Sequence, residues 1–255
     1  GRPRPFPLRP VRAAAGAALL YLIAGFHHEL ARARAAVREP GLALIRLQWW
    51  REVLEGAVRR HELATPLAEA LGAGRLPRAT LLAMVDGREI EAEPAIPSLA
   101  AWRAWLEATD GNATPAAGQV LGAPPASWES LRRLGAAHGA GLVLRTEAAL
   151  APPGRCLLPE DVLRAHGLSA SGLAVGRGRA RLGPALEALA AEARGWLPEE
   201  RIQGPLAARL LAVLARRDLA RPGRPLAGQG RGGQGRGGQG RGGQGRGGRG
   251  VADRL

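Results

Sequence analysis

An all-α fold is predicted for the body of this chain on three observations. Ala, Leu and Arg, which lose little on entering a helix, are abundant, while aromatic residues make up only 4%. No stretch alternates apolar and polar residues as a half-buried strand would. Helix-breaking residues fall in clusters a helix length apart: Pro40-Gly41, Leu71-Gly72-Ala73-Gly74, Pro94 to Pro97, Pro124-Pro125, Pro152-Pro153-Gly154 and Pro198.

Those breaks predict helices at 13–37, 41–60, 77–92, 97–110, 126–150, 181–196 and 204–218. The first begins with an apolar run, Ala13 to Gly25, behind four Arg, which has the make-up of a secretory leader and is too short to span a bilayer. Glu29-Leu30-Ala31-Arg32 carries the helical pattern onward, which favours a folded helix. In the second, Leu44, Leu47, Val53 and Leu54 are expected to face a core, with Trp49 and Trp50 as packing anchors. Arg88 and Glu89 are neighbours pointing about 100° apart, so their partners are expected on other helices. Asp110-Gly111-Asn112 is expected to kink or break its helix. Ser127 is the expected cap of the helix starting near Trp128, and Pro159-Glu160-Asp161 reads as a first turn.

From Pro222 the character changes. Gln229, Gln234, Gln239 and Gln244 recur every five residues, as do Arg231, Arg236, Arg241 and Arg246. Such a repeat has nothing apolar to bury and is expected to be disordered. The expected organisation is a basic segment 1–12, a helical domain 13–220 and a disordered tail 221–255.

The net charge of +14 belongs mostly to the two ends. Residues 1–12 carry four Arg and no acid, residues 221–255 eight Arg and one acid, and the body 24 Arg against 21 acids. The charge therefore does not imply a nucleic-acid-binding core. Arg-Gly repeats can hold RNA through phosphates and stacking, but this tail has no aromatic residue for bases to stack on, so RNA is disfavoured as a partner. Gly228, Gly230 and Gly233 match a dinucleotide fingerprint only by accident, with neither strand nor helix beside them. Cys156 is alone, which excludes a disulfide framework and a cysteine zinc site. His27 and His28 diverge on a helix, and Arg32 stands where a His-Glu-x-x-His metal motif needs its second His, so both are read as partly exposed. His138 and His166 are read as isolated.

Several blocks carry a family likeness. Leu144-Arg145, then Gly154-Arg155-Cys156-Leu157-Leu158-Pro159, then His166-Gly167-Leu168-Ser169 follow the order of the squalene/phytoene synthase family. Glu39-Pro40 followed by Arg46-Leu47-Gln48-Trp49-Trp50 resembles the second helix of its bacterial members. Asp86-Gly87-Arg88-Glu89 and the Trp102 to Gly122 region resemble further family helices. The resemblance spans roughly residues 19–218 and implies a single helical domain of the isoprenoid (terpenoid) synthase type.

The resemblance also implies what is missing. Family enzymes join two prenyl diphosphates, using Mg²⁺ held by two Asp-rich motifs. Here Ala31, Arg32 and Ala35 stand at the positions of the first motif, and Thr146, Ala149 and Leu150 at those of the second. Mg²⁺ needs carboxylate and phosphate oxygens, and Glu29 and Glu147 alone cannot supply such a cluster. No catalytic residue, metal ligand or cofactor is therefore expected; Mg²⁺ enters only if the chain is an active prenyl transferase after all. Arg32, Arg88, Arg145 and Arg155 are the candidate diphosphate contacts. The pattern resembles a branch of the family serving complex I assembly. It implies a catalytically degenerate binding or assembly factor, cytoplasmic or peripheral at the inner membrane. Its partner would be a protein of a membrane-associated respiratory complex, and its ligand an isoprenoid lipid.

Overall fold

The computed structural model describes residues 9–150, 155–199 and 204–223. Among these residues eleven α-helices and no multi-residue strand occur: α1 Arg9–Ala35, α2 Pro40–Glu55, α3 Ala64–Gly72, α4 Arg78–Arg88, α5 Leu99–Leu106, α6 Asn112–Val120, α7 Trp128–Leu150, α8 Glu160–Ala165, α9 Ala170–Ala174, α10 Gly183–Gly195 and α11 Leu206–Leu219. The all-α expectation holds. The expected disorder of the tail concerns residues that, apart from 221–223, lie outside the described ones.

Helix ends differ from expectation where an unforeseen cap acts. Gly56 adopts a left-handed conformation (φ 112°) and its N–H reaches the Glu52 and Val53 carbonyls, so α2 stops at Glu55 rather than 60. Next, His61 Nδ1 accepts the N–H groups of Leu63 (3.1 Å) and Ala64 (3.3 Å) and starts α3, a helix the spacing of Pro and Gly does not predict. Ser127 does not cap α7: its hydroxyl donates back to the Pro124 carbonyl (2.7 Å) within a short 3₁₀ turn. Leu44 is 42% exposed; the buried face of α2 is Ala43, Leu47, Trp50, Val53 and Leu54. Trp50 is an anchor as expected, its ring edge-on to Phe26 at 5.4 Å.

Two apolar clusters make most of the core. One joins α1 to α4 through Phe26, Leu30, Trp50, Leu67, Leu81 and Met84. The other joins α5, α7 and α10 through Trp102, Leu106, Ala137, Leu144, Leu189 and Trp196. Burying each large side chain stabilises the fold by about 1.5–3 kcal/mol. Helix α7 runs through the middle, packed by α5, α6, α10 and α11.

The segment after α7 works as a clasp. Glu147 accepts the Leu157 N–H (3.0 Å), and the Glu160 N–H reaches the Ile96 carbonyl (2.8 Å). Asp161 accepts the Leu99 N–H at the start of α5 (3.0 Å to each oxygen). Glu160 in turn accepts the Ala170 N–H (2.7 Å). The recognisable block around Leu158-Pro159 thus ties α5, α7, α8 and α9 together.

Candidate functional site

The helix from Leu99 does not break at Asp110-Gly111-Asn112. It widens into a π-turn, Glu107–Gly111, and continues as α6. Pro115 has no N–H to give the preceding turn, and the side chains of Thr114 and Asn112 donate instead to the carbonyls of Asp110 and Ala108, each at 3.0 Å. The wider turn presses into α7 at two glycines. A Cβ on Gly135 would lie 2.3 Å from the Asp110 carbonyl oxygen, and one on Gly139 would lie 2.7 Å from the Asp110 Cγ. Only bare backbone on α7 lets Asp110 sit there.

Asp110 lies on the wall of a cavity of about 470 Å³, lined by α1, α6, α7, α11 and the π-turn and open to solvent on one side. Leu20, Ile23, Ala117, Leu131, Leu142 and Leu211 make it apolar. His27, Asp110, Thr114 and His138 give it one polar region. Its volume is ordinary for a small-molecule site, typically about 300–1,000 Å³. His27 Nε2 stands 3.5 Å from Asp110 Oδ1 and 3.1 Å from Arg88 Nη2. That nitrogen can donate to the carboxylate or accept from the guanidinium, one at a time.

Burial alone would raise the Asp110 pKa. Contact with His27 and the charges of His27, Arg88 and His138 outweigh it and bring the carboxyl from 3.8 to about 2. His138 is held below its ordinary value, chiefly by burial, with Asp110 and Asp218 opposing. His27 and His28 are at least partly exposed, as expected, but His27 also borders the cavity, and reading His138 as isolated misses that it shares that cavity with Asp110. A signal is present in Gly135 and Gly139, one helical turn apart and flanking His138.

The four candidate arginines are each engaged within the chain. Arg32, more than half exposed, pairs with Glu29 (3.3 Å). Arg145 pairs with Asp218 on α11 (2.7 Å). Arg88 and Arg155 meet at one buried carboxylate: Arg88 Nη1 donates to Glu91 Oε1 (2.6 Å), Trp105 Nε1 donates to the same oxygen (3.1 Å), and Arg155 Nη2 donates to Oε2. Arg155 also borders a smaller cavity of about 220 Å³, with Arg34 and Glu91. Glu89 finds its partner across helices, at Arg51 (2.7 Å), while the acidic partner of Arg88 lies on its own chain segment three residues on. Cys156 is buried, its thiol pushed up to about 12 mainly by burial, which makes it a poor nucleophile.

A model of the squalene/phytoene synthase family matches residues 10–222. The chain belongs to that family. Among curated proteins, none matches it. The match starts nearer the N-terminus than the likeness legible from motifs, taking in almost all of α1. For a squalene/phytoene synthase fold the donor set is unusual. Glu29 is tied to Arg32, Glu147 is turned onto the Leu157 N–H, and Asp110 is the only carboxylate on the cavity wall among the described residues. No group of three or more His, Cys, Asp or Glu among those residues is set to hold a metal ion. These side chains do not fit the oxygen-rich octahedral sites that Mg²⁺ requires. Among the described residues, no helix is long and apolar enough to cross a membrane.

Proposed function

We propose that this member of the squalene/phytoene synthase family holds an isoprenoid lipid without coupling prenyl diphosphates. It serves as a binding or assembly factor for a protein of a membrane-associated respiratory complex. One observation carries the reading: the helices enclose an apolar cavity, while the charged groups nearest the family's metal positions are engaged within the chain, Glu29 with Arg32, Arg145 with Asp218 and Glu147 with the Leu157 N–H. An apolar pocket with a few convergent polar groups is the arrangement of a ligand site.

A peripheral place at the inner membrane has separate support. The outer side of α11 exposes Leu206, Leu210 and Val213 beside Arg209, Arg216 and Arg217, while its inner side lines the cavity with Ala208 and Leu211. Leucines flanked by arginines suit an anionic bilayer surface. The activity test is direct. Incubation with farnesyl or geranylgeranyl diphosphate and Mg²⁺ releases no diphosphate; catalytic release overturns the proposal.

A further inference from the structure

The polar region of the cavity carries one anion, and no Arg side chain lines it among the described residues. Two guanidiniums lie close behind the wall and are already paired: Arg88 with Glu91 at 2.6 Å, its other terminal nitrogen 3.1 Å from His27, and Arg145 with Asp218 at 2.7 Å. A diphosphate entering head first would bring further negative charge against Asp110, in a setting where charges are poorly screened. Releasing an arginine to meet it would break an established ion pair, leaving Glu91 to Arg155 and Trp105, or Asp218 to Arg217.

The same groups suit a hydroxyl. Asp110 is acceptor-only, and its two oxygens have more lone pairs than His27 and Thr109 use. His138 makes no hydrogen bond to another described residue, yet its ring borders the cavity. Burial keeps that ring neutral near pH 7, with one N–H to give and one lone pair to share. An alcohol oxygen can donate to Asp110 and accept from His138. Both groups are part-buried, so leaving either without a partner once a ligand has displaced the water costs about 1–3 kcal/mol.

We infer that this cavity takes a long-chain alcohol, a neutral hydroxyl on a single apolar tail, in preference to the diphosphate of the same tail. The hydroxyl sits between Asp110 and His138, and the tail runs along Leu20, Ile23, Leu131 and Leu211. The inference rests on the proposed lipid-holding role and adds the chemistry of the head group.

Calorimetric titration of the full chain with farnesol and farnesyl diphosphate tests it. Farnesol binds at least about tenfold tighter than the diphosphate, a margin one well-made hydrogen bond supplies. Asp110→Asn lowers farnesol affinity by about tenfold and narrows the gap to the diphosphate. His138→Phe keeps an aromatic ring without its nitrogens and weakens farnesol by a similar factor; it stands in should the Asp110 variant misfold by circular dichroism. Diphosphate binding as tight as farnesol, or full farnesol affinity in both folded variants, overturns the inference. If neither ligand binds, the lipid-holding role itself falls.

Discussion

Two polar clusters lie on either side of Arg88, and they are built in opposite ways. Around Glu91 three donors, from Arg88, Trp105 and Arg155, converge on one buried carboxylate and use both its oxygens. Around Asp110 the groups are spread along a cavity wall, and His138 has no hydrogen-bond partner among the described residues. The first cluster is spent on holding helices together. The second leaves hydrogen-bonding capacity facing a space large enough for a ligand. Titratable residues alone would not have told the two apart; what each touches does.

The contrast can be broken at several points. Glu91→Ala should hurt most, because it leaves two arginines buried without a counter-charge. A loss of about 3–5 kcal/mol is expected in urea unfolding, with no specific effect on ligand preference in whatever protein folds. Gly135→Ala should come next. The added Cβ meets the Asp110 carbonyl and Thr114, backbone and a short side chain that cannot swing away, so a loss near the top of the usual overpacking range of about 1–3 kcal/mol is expected.

Asp110 predicts a pH signature. Its folded carboxyl titrates near 2 against an ordinary 3.8, so its contribution is present above the ordinary value and is lost as pH falls from there through 2. A tenfold change in acidity is worth about 1.4 kcal/mol, which puts that contribution at about 2 kcal/mol. Asp110→Asn should lack this acid limb when unfolding midpoints at pH 5 and pH 2 are compared with the parent's. An equal slope in both proteins would mean that the carboxylate is not held as described. The smallest effect is expected for Arg32→Ala, whose pair with Glu29 is exposed; its stability should stay within about 0.5 kcal/mol of the parent in the same assay.

The helical class and most of the helices are legible because Pro and Gly punctuate the chain and act locally. The exceptions are set by partners that a linear pattern does not display. Helix α3 starts on a histidine, a residue seldom counted among helix caps. The π-turn depends on Gly135 and Gly139, which belong to a different helix. The candidate site is legible only in part. Arg88 and Arg155 carry the family likeness, but that they share Glu91 is a property of the folded chain. His27, Asp110 and His138 each look unremarkable in sequence, since nothing before folding brings α1, the π-turn and α7 to one cavity.

The π-turn has a consequence for how this protein can vary. A helix interior normally tolerates exchange of side chains and resists changes in length, because each residue turns the rod by about 100°. Here the wide turn between Leu106 and Asn112 fixes the rotation at which the following segment leaves. Deleting Ala108 would offer the chain an ordinary α-helix and swing Thr114 and Ala117 away from the cavity while changing none of their identities. The wall is thus encoded by a count of residues as much as by their kind. Two proteins with the same side chains here, differing by one position in spacing, would present different interiors to a ligand.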